Sequence, residues 1–315
     1  MIQPMPRVPS SPFTVTVALV VAAALVGVAG NREAAPLFSF GVIADIQYRD
    51  ADPQGTRFYR DSVGKLKAAV DHLNTLPLRF TIQLGDLIDG AYSSYNAILP
   101  LYDALRGRHY HVLGNHDFAV DPGDKGRVLH RLGLDRLGAG TGYYDFGEHG
   151  WRFVILNGDD LSVLAHPPGS APRLASERYL AALRQKGVTS AQEWNGGIDI
   201  AQREWLARTL DKATRAEERV VVLCHFPLLP AEKSGVWNDE ALLSILRSHP
   251  AVVAYFSGHA HEGAYVQEGR IHFLTFQGMV EGQQPAYAVV DVLPDALRVT
   301  GFGREASRVL TIAER

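Results

Sequence analysis

Five short apolar runs in this chain end in the same way, with Asp, Asn or His set beside small residues. The endings are Asp45-Ile46-Gln47, Gly85-Asp86-Leu87-Ile88-Asp89-Gly90, Gly114-Asn115-His116-Asp117, Cys224-His225 and Gly258-His259-Ala260-His261. The runs before them have the length and the β-branched or aromatic content of strands. Between the first two, Val63, Leu66, Val70 and Leu73 recur at helical spacing. Strands alternating with helices imply an α/β domain. In open α/β sheets, sites form at the carboxyl ends of strands, so the five endings are expected to converge. Glycine beside most of these residues lets backbone and ligand approach closely. Carboxylate, amide and imidazole together are what divalent first-row metals accept. Two such ions about 3.5–4 Å apart clamp a phosphoryl group during in-line displacement.

The pattern predicts strands at 37–44, 80–84, 110–113, 220–223, 252–256, 271–276 and 286–292, and a hairpin from 143–146 and 151–156. It predicts helices over 59–76 and 95–105, and one opening at Asp199 and running through 210, with Gln202 completing a capping box. The strands are too numerous for one simple parallel sheet. Residues 37–303 read as one domain, with Pro-, Gly- and charge-rich surface insertions near 121–140 and 166–187. Those insertions are candidates for a substrate rim, because loops carry specificity on such scaffolds.

The amino terminus is of another kind. Residues 15–29 are apolar except for Thr16, Arg7 is the one charged side chain before them, and no acid appears until Glu33. Small residues close the run, at Gly27-Val28-Ala29-Gly30. This predicts an export signal over 1–29 and a periplasmic or secreted protein. The competing reading is an uncleaved membrane anchor, for which the run falls short of the ~20 residues that span comfortably. Cys224 is the sole cysteine, which excludes an intrachain disulfide and every Cys-rich zinc site. Net charge is −3, from 31 Lys and Arg against 34 Asp and Glu, and no basic stripe is visible. A nucleic-acid partner is therefore not expected.

Taken in order, the five blocks resemble the calcineurin-like metallophosphoesterases, whose pattern is Asp-x-His, Gly-Asp-x-x-Asp, Gly-Asn-His-Asp/Glu, His and Gly-His-x-His. The resemblance covers 45–261. One departure is informative, because Gln47 stands where most of that superfamily has His. Asp45-Ile46-Gln47-Tyr48 is similar to the start of the Mn-dependent ADP-ribose/CDP-alcohol diphosphatase branch. The same branch resembles this chain at 83–90, at Trp194-Asn195-Gly196-Gly197-Ile198 and at 258–263.

The resemblance implies a four-layer α/β/β/α sandwich, two mixed sheets with flanking helices. It implies a dinuclear phosphohydrolase that cleaves the phosphoanhydride of ADP-ribose- or CDP-alcohol-type molecules by attack of a hydroxide bridging two metal ions. Asp45, Gln47, Asp86 and His261 would hold one ion; Asn115, His225 and His259 would hold the other, with Asp86 bridging. An amide oxygen in place of imidazole hardens the first site and favours Mn²⁺, with Fe, Zn or Mg as other occupants. His116 would serve the leaving oxygen, oriented by Asp89, with Asp117 as the alternative. Trp194, Asn195, Trp237 and Asn238 are candidate substrate contacts; the Gly196-Gly197 pair is expected to break both helix and strand. The expected partner is a small-molecule phosphate, with a membrane only through an uncleaved amino-terminal anchor. A phosphomonoesterase or phosphodiesterase with the same centre, and an inactive binding module of the same fold, are the other readings.

Overall fold

The computed structural model describes residues 1, 3, 35–230 and 232–313. The expected export segment, 1–29, lies outside the described residues except for residues 1 and 3. Among the described residues no helix is long and apolar enough to cross a membrane.

Two crossovers build the first sheet. Strand β1 (Phe38–Ile43) pairs in parallel with β2 (Phe80–Gln83), and β2 with β3 (Arg108–His111), through helices α1 (Ser62–Leu73) and α2 (Tyr95–Tyr102). After a short α3 (Val128–Arg131), the hairpin β4 (Tyr144–Glu148) and β5 (Trp151–Ile155) opens a second sheet. A small ribbon of β6 (Leu161–Ser162) and β7 (Gly196–Gly197) brackets α4 (Ala171–Gln185). Helix α5 (Ile200–Arg215), β8 (Arg219–Leu223), α6 (Asp239–Ser248) and β9 (Val252–Ser257) extend the second sheet in parallel. Strands β10 (Ala264–Glu268) and β11 (Ile271–Thr275) complete it. The chain then returns to the first sheet with β12 (Ala286–Val292), β13 (Ala296–Gly303) and β14 (Arg308–Thr311). The orders are β14-β13-β12-β1-β2-β3 and β10-β11-β9-β8-β5-β4, and both sheets are mixed.

Side-chain alternation decides how the layers stack. Phe153 and Ile155 of β5 enter the core between the sheets, where Phe153 meets Phe40 at 5.3 Å and Phe80 at 4.9 Å. Their neighbours Val154 and Leu156 face the other way, onto Leu206 and Leu210 of α5 and Leu242 and Leu246 of α6. The central strands β8 and β9 are buried nearly throughout, as strands covered on both faces must be. On the outside of the first sheet, α1 and α2 bury Leu66, Val70, Ile98 and Tyr102. The result is the α/β/β/α sandwich.

The local expectations need four corrections. The third strand runs from Arg108 to His111, earlier than its apolar residues indicated, so Val112 and Leu113 already belong to the site loop. Residues 166–187 carry α4, whose Ser170 Oγ accepts from the Arg173 N–H and whose Leu180 and Leu183 are buried. Its many charges lie on the solvent face and masked the apolar stripe. Asp199 does cap α5, accepting from the Gln202 N–H at 2.7 Å. Only half of the capping box forms, because the Gln202 amide binds Asn157 and Asp160 instead of reaching back. The Gly196-Gly197 pair forms the short strand β7 where no strand was expected.

Candidate metal centre

All five polar endings arrive at one rim. Asp45 and Gln47 follow β1, Asp86 and Asp89 follow β2, Asn115 and His116 follow β3, His225 follows β8, and His259 and His261 follow β9. The loops after β1 and β2 stay side by side, with the Gln47 N–H on Asp86 O at 2.8 Å and the Tyr48 N–H on Leu87 O at 3.0 Å. Asp117 fastens the loops after β2 and β3: its carboxylate accepts from the backbone N–H groups of Asp86, Leu87 and Gly114 and from the Tyr95 hydroxyl. Burial, with Asp86 beside it, pushes the Asp117 carboxyl up to about 7. A Cβ on Gly114 would collide with the Asp86 carboxylate, so this close approach needs glycine.

Backbone strain concentrates at the same rim. Of the seven described non-glycine residues with positive φ, four are Asp45, Gln47, Asp86 and His259, at 49°, 42°, 58° and 66°. Each costs about 1–3 kcal/mol and persists only where the surroundings impose it.

The seven expected metal-ligating side chains point at one another. Asp86 Oδ2 lies 2.9 Å from Gln47 Nε2 and 3.3 Å from His225 Nε2, so this carboxylate faces both halves of the group. His225 Nε2 is 3.1 Å from Asn115 Oδ1 and 3.1 Å from His259 Nδ1. His261 Nε2 is 3.1 Å from Gln47 Nε2 and 3.5 Å from Asp45 Oδ1. Ligand atoms of Asp86, His225 and His259 all lie within 4.8 Å of one another.

Outer partners fix the tautomers of the three imidazoles. His225 donates its Nδ1–H to Leu84 O at 2.8 Å, and His261 donates its Nδ1–H to Glu281 Oε1 at 2.7 Å. Asn195 donates its own amide hydrogens to Ser190 O and Lys233 O, so its Oδ1 accepts, at 2.9 Å, from His259 Nε2–H. Three lone pairs are thereby turned inward beside two carboxylates and the Asn115 amide oxygen. Such a cluster of acceptors is stable only with cations, protons or metals, among them. In the protein alone, burial disfavours charge on His225, yet Asp86 beside it carries its pKa up to about 10. His261 is likewise raised to about 9, against burial, by Asp45 and Glu281. His259 is pushed well down by burial and by the charge of His225. The Gln47 Oε1 atom is buried and has no hydrogen-bond partner. That orphaned oxygen, together with an all-oxygen-and-nitrogen donor set, fits divalent cations.

His116 stands apart from the group. Its backbone N–H donates to Asp86 Oδ1 at 2.8 Å, while its Nδ1 faces Asp89 Oδ1 at 3.0 Å. Burial opposes charge on this ring, but Asp86 and Asp89 raise its pKa. Asp117 is occupied by backbone donors, so Asp89 is the carboxylate placed to orient His116.

A cleft of about 370 Å³ opens over the cluster, lined among others by Gln47, Arg57, Asn115, His116, Trp194 and His261. Trp194 is 41 % exposed there, with Lys233 Nζ 5.1 Å from its ring centre. Its sequence neighbour Asn195 is fully buried behind His259. Trp237 and Asn238 do not reach the cleft. Trp237 fills a satellite core with Val163, Leu180 and Leu183, and Asn238 binds both backbone groups of Ile198. The residues lining the cleft include none from 121–140 or 166–187. Sequence reasoning missed Glu281 and Arg57, whose surroundings carry no strand-end pattern; their roles arise from contacts across the fold.

Residues 38–263 match the model of the family described as calcineurin-like phosphoesterase. The chain is 32 % identical over 330 residues to a Xenopus tropicalis protein named manganese-dependent ADP-ribose/CDP-alcohol diphosphatase, covering 89 % of this chain and 96 % of the relative. A Homo sapiens protein of the same name is 29 % identical, with 87 % and 92 % covered. Among solved structures, a dimetal phosphatase from Danio rerio superposes with a TM-score of 0.80 at 28 % identity, over 88 % of this chain and all of that one.

Proposed function

The chain belongs to the calcineurin-like phosphoesterase family and is a metal-dependent phosphohydrolase, and we propose that its reaction is the manganese-dependent cleavage of the phosphoanhydride in ADP-ribose- or CDP-alcohol-type molecules. The observation that carries this reading is the gathering of Asp86, His225 and His259, whose ligand atoms lie within 4.8 Å of one another, beside a Gln47 amide whose buried oxygen has no partner. The relatives that share this chain's family are named for ADP-ribose and CDP-alcohols.

Asp45, Gln47, Asp86 and His261 would hold one divalent cation, and Asn115, His225 and His259 the other, with Asp86 shared. Bound there, the two cations supply the charge that grips the phosphate oxygens and acidifies the attacking water. The remaining work belongs to the chain's own groups. His116 carries a proton towards the leaving oxygen, and Asp89 holds that ring through Nδ1. Asn195 and Glu281 keep two imidazoles in the ligating tautomer. Trp194 offers an exposed aromatic face at the cleft for the base.

The test is turnover of ADP-ribose, CDP-choline, a UDP-sugar and p-nitrophenyl phosphate after metal stripping and Mn²⁺ readdition, in parent and Asn115→Ala. Mn-dependent release of AMP or CMP, lost in the variant, is the expected result. Turnover confined to the monoester overturns the substrate class, and no turnover with any metal overturns the reaction.

We also propose export of the mature chain, on the apolar run at 15–29. Amino-terminal sequencing of protein from medium, periplasm and membrane tests it: a start near residue 30 is expected, and an intact Met1 in the soluble cytoplasm overturns it.

A further inference from the structure

We propose that Arg57 forms a second phosphate subsite, binding the phosphate of a diphosphate that the acceptor cluster does not hold and so selecting diphosphates over monoesters. The inference rests on the reading that this cleft takes a phosphate substrate. Among the described residues, Arg57 is the only arginine or lysine lining the cleft. It shares that lining with His116, the group placed to serve the leaving oxygen.

Arg57 is anchored from behind. Its backbone pairs with Glu281 in an isolated antiparallel bridge, and its Nε lies 3.6 Å from Glu281 Oε1. Its Nη atoms have no hydrogen bond or ion pair with any described residue. The guanidinium is thus held by one edge of its fork with the other edge unused, beside a cleft and with its side chain 37 % exposed. An arginine fork matches two phosphate oxygens, and a partly desolvated wall strengthens that charge-assisted pair. A monoester has no second phosphate to meet it, whereas every phosphoanhydride substrate does. Lys233 is a poorer candidate, because it is exposed and its ammonium lies over the Trp194 ring.

Arg57 also touches the carboxylate that orients His261, so the test must separate subsite from support. Binding of inorganic pyrophosphate and of phosphate is measured by calorimetry and by inhibition, with free Mn²⁺ held constant, in parent, Arg57→Gln and Arg57→Lys. Metal content is measured alongside. Pyrophosphate should bind the parent more tightly than phosphate does. Arg57→Gln should weaken pyrophosphate at least 10-fold and phosphate less than 3-fold, with metal content unchanged; Arg57→Lys should fall between. Equal weakening of both anions, no weakening, loss of metal with the guanidinium, or a parent that does not prefer pyrophosphate each overturns the inference. Failure of the parent to hydrolyse ADP-ribose or CDP-choline overturns the substrate class instead, and leaves the anion comparison able to decide on Arg57.

Discussion

The Asn195 side-chain oxygen sits 2.9 Å from His259 Nε2, and this one hydrogen bond decides which nitrogen of His259 faces the metal-ligating cluster. Because Asn195 spends both amide hydrogens on Ser190 O and Lys233 O, it meets the ring only as an acceptor. The His259 lone pair therefore belongs to Nδ1, the atom 3.1 Å from His225 Nε2.

Asn195→Ala frees that ring to flip or change tautomer. Outer partners of ligating histidines typically carry 10–100-fold in metal affinity. A Mn²⁺ titration of the stripped protein should show a loss of that order, with the melting curve of the stripped protein shifted far less. An unchanged titration would remove Asn195 from the metal centre.

His116 and Asp89 should behave as a unit distinct from the ligands. His116→Gln and Asp89→Asn should retain two metal ions per chain while kcat falls about 100-fold on a diphosphate, in the range of general-acid assistance. On a substrate whose leaving group is a nitrophenol, which departs without a proton, the loss should shrink to a few fold. Equal losses on both substrates would sink the leaving-group role.

Metal loading should depend on pH in a direct sense. Asp86 carries His225 up to about 10 against burial, and His261 stands near 9. At neutral pH a metal must therefore displace protons from ligating nitrogens. Affinity should rise with pH and fall as pH drops, by about tenfold per unit for each proton displaced. Mn²⁺ titrations at pH 6.5, 7.5 and 8.5 check this, and a flat series would contradict it.

Asp159 supplies a stability test at a buried acid outside the ligand set. It is 1 % exposed, neither carboxylate oxygen has a hydrogen-bond partner, and burial pushes its pKa up to about 7. For a raised acid, the stability contribution is full below the unfolded pKa near 3.9 and is lost as pH rises through 7. Asp159→Asn should therefore melt a few degrees above the parent at pH 8 and close to it at pH 5. A variant less stable at pH 8, or an equal difference at both values, would refute the assignment.

Most of the cluster was legible from sequence because the seven candidate ligands close just five short strands, and such endings are local. The order of the five blocks carried the sandwich with them. What escaped was non-local. Glu281 reaches His261 and Arg57 only after the loop beyond β11 folds back. Asn195 was read as a substrate contact because its neighbours look like a loop motif, yet it lies wholly inside. Trp237 misled in the same way, since a tryptophan near a predicted site and one in a satellite core look identical in sequence. Helix α4 was hidden by its own Pro and charge content, although Ser170 followed by Pro172 is an ordinary helix start.

Asp45, Gln47, Asp86 and Asn115 descend from one sheet, and His225, His259 and His261 from the other. The layers between them are joined mainly by apolar packing, which has no direction, and by a few polar ties such as Tyr144 Oη on His111 O and His272 Nε2 on Thr311 O. A cation pair seated across that seam would act as a rivet at the rim where the chemistry occurs, while Arg79 and Arg108 on Glu148 tie the two sheets at the opposite end. A protein emptied of its ions would lose the fastening at the chemical rim and keep the one at the far end, so loosening on metal removal is expected to concentrate at the site.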